Sequence, residues 1–487
     1  MAETSQSSEH DNNAYSASSS PSMAPSTAVT LISVMMFLQF FVWGAWFATL
    51  AAALDTAGLG DIIGDAYASA PIAAILSPLF LGLIADRVFP SEKVMGVLML
   101  VGGAILLMIP GLAAGGTANG GTIVWMILGH LLCYMPTLGL GNTIAFTHIQ
   151  KQSDFPKIRV WGTIGWIAAG LLVGILGWSN SFNIFWLAAG SSFLLGMFCF
   201  MLPNTPPPLK GKPMDLRSLF MVDALKLLGD FNFLVFAICS TLICVPLAYY
   251  YGMTSTFLNQ AGFAESAATM TIGQMSEIFF MLLIPFCFRK LGLKLMISVG
   301  MICWVVRYAL FALGAPDQVT WMLLLAVALH GVCYDFFFVT GFMYTDQKAP
   351  VAIRGQAQGL LVFLTQGIGM FFGYKIMAAA AWQGVDFGWT IGKYGEQVTK
   401  GKEYTDALTA ARGEQDTVGF LESFSQLFSR SLPAGLDSEL LHATMIQWRN
   451  FWMFPSILAA MILAIFVLLF WDKVHPENEA EPAPTEI

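Results

Sequence analysis

Among the short connections between long apolar stretches, lysine and arginine fall on every second one, an arrangement that few chains folding in water would carry. The long connection 384–447, which also holds Lys393, Lys400, Lys402, Arg412 and Arg430, escapes a rule that governs short loops only. Apolar spans lie near 29–54, 66–89, 93–112, 121–148, 158–178, 181–202, 231–258, 266–288, 294–314, 318–343, 355–382 and 450–471. Each is about the 20 residues that cross a bilayer core as helix. One set of connections collects Arg87 and Lys93, then Lys151, Lys157 and Arg159, then Lys210, Lys212, Arg217 and Lys226. The set continues with Arg289, Lys290 and Lys294, then Lys348 and Arg354, then Lys473. The opposite connections 55–65, 113–120, 179–180, 259–265 and 315–317 contain neither residue. Cations in short loops resist translocation, so the pattern predicts twelve spans with both termini in the cytoplasm. One missed or invented span would put the basic loops out of phase from that point on.

Composition agrees. The chain is 56% hydrophobic and 11% charged, against about 25% charged in ordinary soluble domains. The expected fold class is therefore all-α and integral to the membrane, with lipid as the main solvent. Much of the net charge of −8 lies in one late polar insert and an acidic tail, and nothing in it suggests nucleic acid. The seven cysteines sit in apolar segments without metal spacing and read as small packing residues. No metal site is expected.

The start, 1–28, is Ser-rich and acidic, unlike the basic opening of a signal peptide, and reads as a disordered cytoplasmic tail. A Pro-rich, basic connection at 203–230 separates six spans in 29–202 from six in 231–471, with a second tail at 472–487. That division predicts two six-helix halves. A polar stretch at 384–447 breaks the rhythm. It reads as a solvated insert without a transport role, with a short amphipathic helix in GFLESFSQLFSRSL, lying on the membrane or capping the pore, as the alternative.

Ionisable groups inside spans are costly in hydrocarbon and normally face a partner or a water-filled cavity. Five stand out: Arg159, Glu277, Arg307, Asp335 and Lys375. Gln274 lies one helical turn before Glu277 and shares its face. Asp335 has His330 and Tyr334 nearby, and Arg307 is its candidate ion-pair partner. Lys375 reads as an interfacial anchor. A carboxyl in a low-dielectric site holds its proton and a neighbouring Arg releases it, so such a pair exchanges protons as its surroundings rearrange. Trp43, Trp166 and the run Tyr249-Tyr250-Tyr251 beneath Pro246 supply aromatic faces. Together with amides and carboxylates these suit a planar polar base, although sugars use the same combination.

The turn GLIADRVFPSEK, with Gly82, Asp86 and Arg87, resembles the loop signature of the major facilitator superfamily, where it latches the cytoplasmic side. Several further stretches together resemble the nucleoside:H+ symporter family of that superfamily: FLQFFVWGAWFATL, YMPTLGLGNTIAF, DFPKIRVWGTIGW, QMSEIFF, VRYALFALG and GVCYDFFF. The resemblance implies proton-driven uptake of a nucleoside across the bacterial inner membrane by alternating access, by a monomer needing no cofactor but the coupling proton. It places Arg159, Thr163 and Trp166 at a central site from the first half, and Gln274, Glu277, His330, Tyr334 and Asp335 from the second. Glu277 and Asp335 would carry the proton. The chain departs from one member of that family at Ala248 and Tyr251, where that member carries Gln and Asn, and at Trp166, where it carries Phe. Tyr251 is retained as a candidate site residue.

Three rivals remain at this level: a proton-coupled sugar or oligosaccharide symporter on the same fold, a transporter-fold nutrient sensor, and a membrane enzyme. The last has no HExxH, no paired acidic metal motif and no nucleophile–base pair to support it.

Overall fold

A computed structural model describes residues 25–80, 87–149, 155–207, 216–378, 398–413, 424 and 426–471. Among these residues all regular structure is helical. The early helices are α1 (Pro25–Gly44), α2 (Leu50–Thr56), α3 (Ile63–Phe80), α4 (Ser91–Ala113), α5 (Gly120–His148), α6 (Phe155–Ile175) and α7 (Asn183–Cys199). A short turn, α8 (Leu216–Leu219), follows. The late helices are α9 (Phe231–Gln260), α10 (Ser266–Gly314), α11 (Thr320–Ala328), α12 (His330–Tyr334), α13 (Thr340–Lys348), α14 (Arg354–Val362), α15 (Met370–Ala378), α16 (Val398–Gly413) and α17 (Ser438–Leu469).

Nine helical stretches among the described residues are long and apolar enough to cross a membrane, and Asn183–Cys199 is a shorter apolar helix. Side chains such as Leu282, 77% exposed, and Trp125, 68% exposed, are placed for lipid rather than water. At 49 residues, α10 would extend roughly 70 Å, more than twice the hydrocarbon thickness of about 30 Å. Gly292, at φ 66° and ψ 176°, divides it into two helices in a conformation that a side chain would strain.

Tight helix crossings rest on small residues, as expected where lipid gives no hydrophobic drive for helices to associate. A Cβ on Gly165 of α6 would lie 2.1 Å from the Phe37 carbonyl oxygen of α1, so these two backbones nearly touch. The same economy joins early to late helices, where Gly170 of α6 meets Thr271 of α10.

Two late elements are not continuous α-helix. π-helical turns at Asp335–Val339, between α12 and α13, and at Phe363–Gly369, between α14 and α15, widen the backbone inside the apolar layer. Such bulges recur at functional sites, and both lie next to the central cavity described below. All seven cysteines lie in helices, either buried or half-buried.

The insert departs from the solvated stretch expected of its composition. Its described part packs against the bundle, with Tyr404, Thr405 and Leu408 of α16 buried, and α17 begins at Ser438, twelve residues earlier than the apolar run alone suggests. Residues 419–423 and 425 of the amphipathic stretch GFLESFSQLFSRSL lie outside the described residues, as do Gly82 and Asp86 of the loop signature; of the rest, Leu427 is buried while Phe424 and Phe428 are exposed.

Candidate functional site

A central cavity of about 260 Å³ lies between early and late helices. It is smaller than drug-sized pockets of roughly 300–1,000 Å³, a scale suited to one compact polar molecule. From the early helices come Phe40, Trp43 and Phe47 of the α1 region, and Arg159, Thr163 and Trp166 of α6. The late helices contribute Tyr251 of α9, Gln274 and Glu277 of α10, His330 and Tyr334 of α12, Gln366, and Tyr374 of α15. A larger concavity of about 870 Å³, bordered by Ser26, Ser33, His148, Lys157 and Trp161, holds none of the candidate residues.

Local sequence explains why these groups converge. The glycine contacts of α6 bring it against α1, so Arg159, Thr163 and Trp166, spaced at roughly one turn, lie along one face. The Arg159 guanidinium sits 4.1 Å from the centre of the Phe40 ring, within cation–π range. Trp43 meets Trp166 edge-on at 5.3 Å, Phe47 at 5.4 Å and Tyr134 at 5.6 Å. Across the cavity, Phe47 approaches Tyr251 at 6.1 Å. The cavity therefore has an aromatic wall on both sides.

On the late side, α10 crosses the α11–α12 joint closely. Ser276 Oγ donates to the Ala328 carbonyl and accepts the Gly331 N–H at 3.0 Å. A Cβ on Gly331 would come within 2.4 Å of Ser276, so only glycine permits this approach. The contact sets Gln274 and Glu277 beside His330 and Tyr334. Gln274 is 8% exposed and its Oε1 meets no donor. Glu277 is half-buried and close enough to Arg159 for the two charges to interact electrostatically, but no salt bridge within 4 Å joins them among the described residues. A carboxylate from the late helices thus faces a guanidinium from the early helices across a space that a ligand would fill.

Eight of the nine candidate residues line this cavity; Asp335 does not. It is 0% exposed at the start of a π-helical turn, and neither carboxylate oxygen meets a donor. Glu277 is its electrostatic neighbour. The expected pairing with Arg307 is absent. Arg307, also fully buried, lies 3.3 Å from the centre of the Tyr250 ring and donates through Nη1 to His330 Nδ1 at 3.1 Å. An aromatic face and an imidazole nitrogen take the guanidinium that a carboxylate was expected to hold.

Lys375 is likewise not a lone anchor, because it pairs with Asp65 of α3. The sequence reading also passed over Gln366 and Tyr374. Gln366 carried a usable signal, an amide inside an apolar run, whereas Tyr374, stacked on Tyr67 at 5.3 Å, is one aromatic among many.

Every hydrogen bond described between an early and a late helix lies at one end of the bundle. Ser179 donates to Glu265 at 2.7 Å, Asn180 to Asn259 at 2.9 Å, and Gln260 to Asp55 at 3.3 Å. The insert joins the same end. Thr405 donates to Asp55 at 2.9 Å, Tyr404 to the Gln260 carbonyl at 3.0 Å, and Arg430 to the Ala261 carbonyl at 2.6 Å and to Gln318 at 2.7 Å. Arg412 donates to the side chain and the carbonyl of Asn259. Burial holds the Glu265 carboxyl above its ordinary value, opposed by the Ser179 hydroxyl and the Arg412 charge. At the opposite end, Glu92 accepts the Thr205 N–H at 2.9 Å and His148 meets the Thr205 hydroxyl at 3.0 Å, tying early helices to one another.

The family model described as nucleoside H+ symporter matches residues 26–385. YegT of Escherichia coli (strain K12) is 45% identical over 356 residues, covering 71% of this chain and 82% of that protein. Nucleoside permease NupG of the same organism is 32% identical over 360 residues, covering 70% and 85%. A crystal structure of nucleoside transporter NupG superposes with a TM-score of 0.71 at 25% identity, covering 92% of this chain and all of that one.

Proposed function

The chain belongs to the nucleoside H+ symporter family, and on that footing we propose that it is a proton-coupled nucleoside importer of the bacterial inner membrane. The observation that carries this reading is the pair Arg159 and Glu277, presented to one small aromatic-walled cavity by opposite sides of the bundle. A nucleoside there would stack its base on the rings and take polar contacts from Gln274, Thr163 and the charged pair. Nothing in the family match favours a sugar substrate or a sensor.

The helical segments group as twelve spans in two six-helix halves, with α10 counted as two across Gly292, and the chain works as a monomer. Both termini lie in the cytoplasm, which makes the insert end periplasmic. Clustering of the early–late contacts at that end corresponds to a carrier closed to the outside. Rocking of the halves about the central site would then alternate access. Glu277 is the proton-exchanging carboxyl in the cavity, and Asp335 is a second one behind its wall rather than a direct substrate contact. The loop signature Gly82, Asp86 and Arg87 latches the cytoplasmic side when the carrier turns outward.

The test is uptake of radiolabelled uridine and adenosine by proteoliposomes under an imposed inward proton gradient. Accumulation that collapses with a protonophore supports the reading; folded protein that moves no nucleoside under any gradient removes it.

A further inference from the structure

We infer that Arg307 is a positioning residue that fixes His330 as a hydrogen-bond donor to the bound base, so that the site selects nucleosides bearing a base carbonyl. The inference rests on the nucleoside reading of the cavity and adds a specificity to it.

The argument begins with hydrogen inventories. A guanidinium has five donors and no acceptor, so Arg307 Nη1 at 3.1 Å from His330 Nδ1 requires that nitrogen to be the unprotonated, accepting one. A neutral imidazole carries its hydrogen on one nitrogen only, and His330 therefore bears it on Nε2.

The arrangement is held from two sides. Arg307 lies 3.3 Å from the Tyr250 ring centre, and the His330 ring stacks on the same tyrosine at 5.1 Å and 17°. Tyr251 closes the other flank edge-on at 5.9 Å. Burial of Arg307 removes water as a competing partner, so the imidazole has little freedom to flip or to exchange tautomers.

His330 lines the cavity, and its Nε2 has no protein partner and is not among the sealed polar atoms. The site thus offers an N–H there. Ribose hydroxyls both donate and accept, and would be indifferent to the tautomer. A base carbonyl only accepts, and gains from it; an exocyclic amino group at the same place would face N–H against N–H. Removing one such hydrogen bond in a site built to make it typically costs on the order of tenfold in affinity.

The first readout is spectroscopic and needs no substrate. In purified protein labelled with 15N-histidine, the resonance that disappears in His330→Gln should show a protonated Nε2 and a bare Nδ1, and Arg307→Met should mix the tautomers. A protonated Nδ1, or a pattern unchanged by Arg307→Met, overturns the inference while leaving nucleoside transport untouched.

The second readout is competition against labelled substrate in proteoliposomes, with uridine and inosine each set against the analogue lacking one base carbonyl. Wild type should prefer the carbonyl form by roughly tenfold. His330→Gln, which keeps an N–H near the Nε2 position, should retain most of that preference, while His330→Met and Arg307→Met should bring it close to unity. Equal competition by every pair in wild type overturns the selectivity. Misfolding of Arg307→Met would show in its elution profile, and the His330→Gln and His330→Met pair then decides alone.

Discussion

The Gly331 amide donates to Ser276 Oγ across 3.0 Å, so the joint between α11 and α12 is completed by a neighbouring helix rather than by its own backbone. Groups freed at a helix break in the apolar layer need such a partner. Ser276→Ala should lower stability by about 1 kcal/mol, seen as a modest fall in melting temperature in detergent. Gly331→Ala should do more, because its Cβ would lie 2.4 Å from Ser276. A wild-type melting curve for Gly331→Ala would mean that α10 and α12 are not held at this separation.

The two carboxylates should behave differently. Glu277 lines the cavity and Asp335 does not, so Glu277→Gln should weaken nucleoside binding and abolish accumulation, while Asp335→Asn should abolish accumulation with binding largely retained. Calorimetric titration with uridine beside gradient-driven uptake separates the two. Uphill uptake surviving in both variants would remove them from proton coupling.

Arg412 and Thr405 tie the insert, through Asn259 and Asp55, to the end of the bundle where early and late helices are hydrogen-bonded. Replacing both, Arg412→Ala with Thr405→Val, should shift the population toward the state open at that end. In a background lacking the native cysteines, Trp166→Cys should then react several-fold faster with a membrane-impermeant thiol reagent applied from outside. An unchanged rate would assign the insert no part in closure.

Glu265 carries a pH dependence of definite sign. Burial in the closed end raises its pKa, and the same carboxyl in an open, hydrated state would titrate near the ordinary Glu value of about 4.3. An acid with a raised pKa favours its buried state fully below the ordinary value, and that contribution is lost as pH rises through the raised one. Acidification outside should therefore favour closure and slow the labelling of Trp166→Cys. Glu265→Gln should flatten the response, and a steeper response in that variant would reverse the assignment.

The sequence made the helices and most of the site legible for one physical reason: a polar group in an apolar layer has few permitted places. Gln274 and Glu277 were readable as a pair because an unbroken α-helix stacks residues three apart. Asp335 stands outside the cavity lining because it follows Tyr334 by one residue and His330 by five, so ordinary helical rotation of about 100° per residue already turns it from their face. Arg307 was assigned to an acid because charge was the visible feature; the tyrosine face and the imidazole that hold it come from other helices. The insert looked solvated because polarity does not distinguish a chain in water from one that spends its polar groups on carbonyls and amides of the bundle.

The insert has a practical consequence. Its anchors Arg412 and Arg430 grip backbone carbonyls of Asn259 and Ala261, atoms that no substitution in the bundle can delete. In the proposed orientation that end faces the periplasm, and the carrier displays a graspable handle beyond the bilayer. A nanobody or peptide raised against α16 would gain purchase on the cycle without crossing lipid or competing with the cargo.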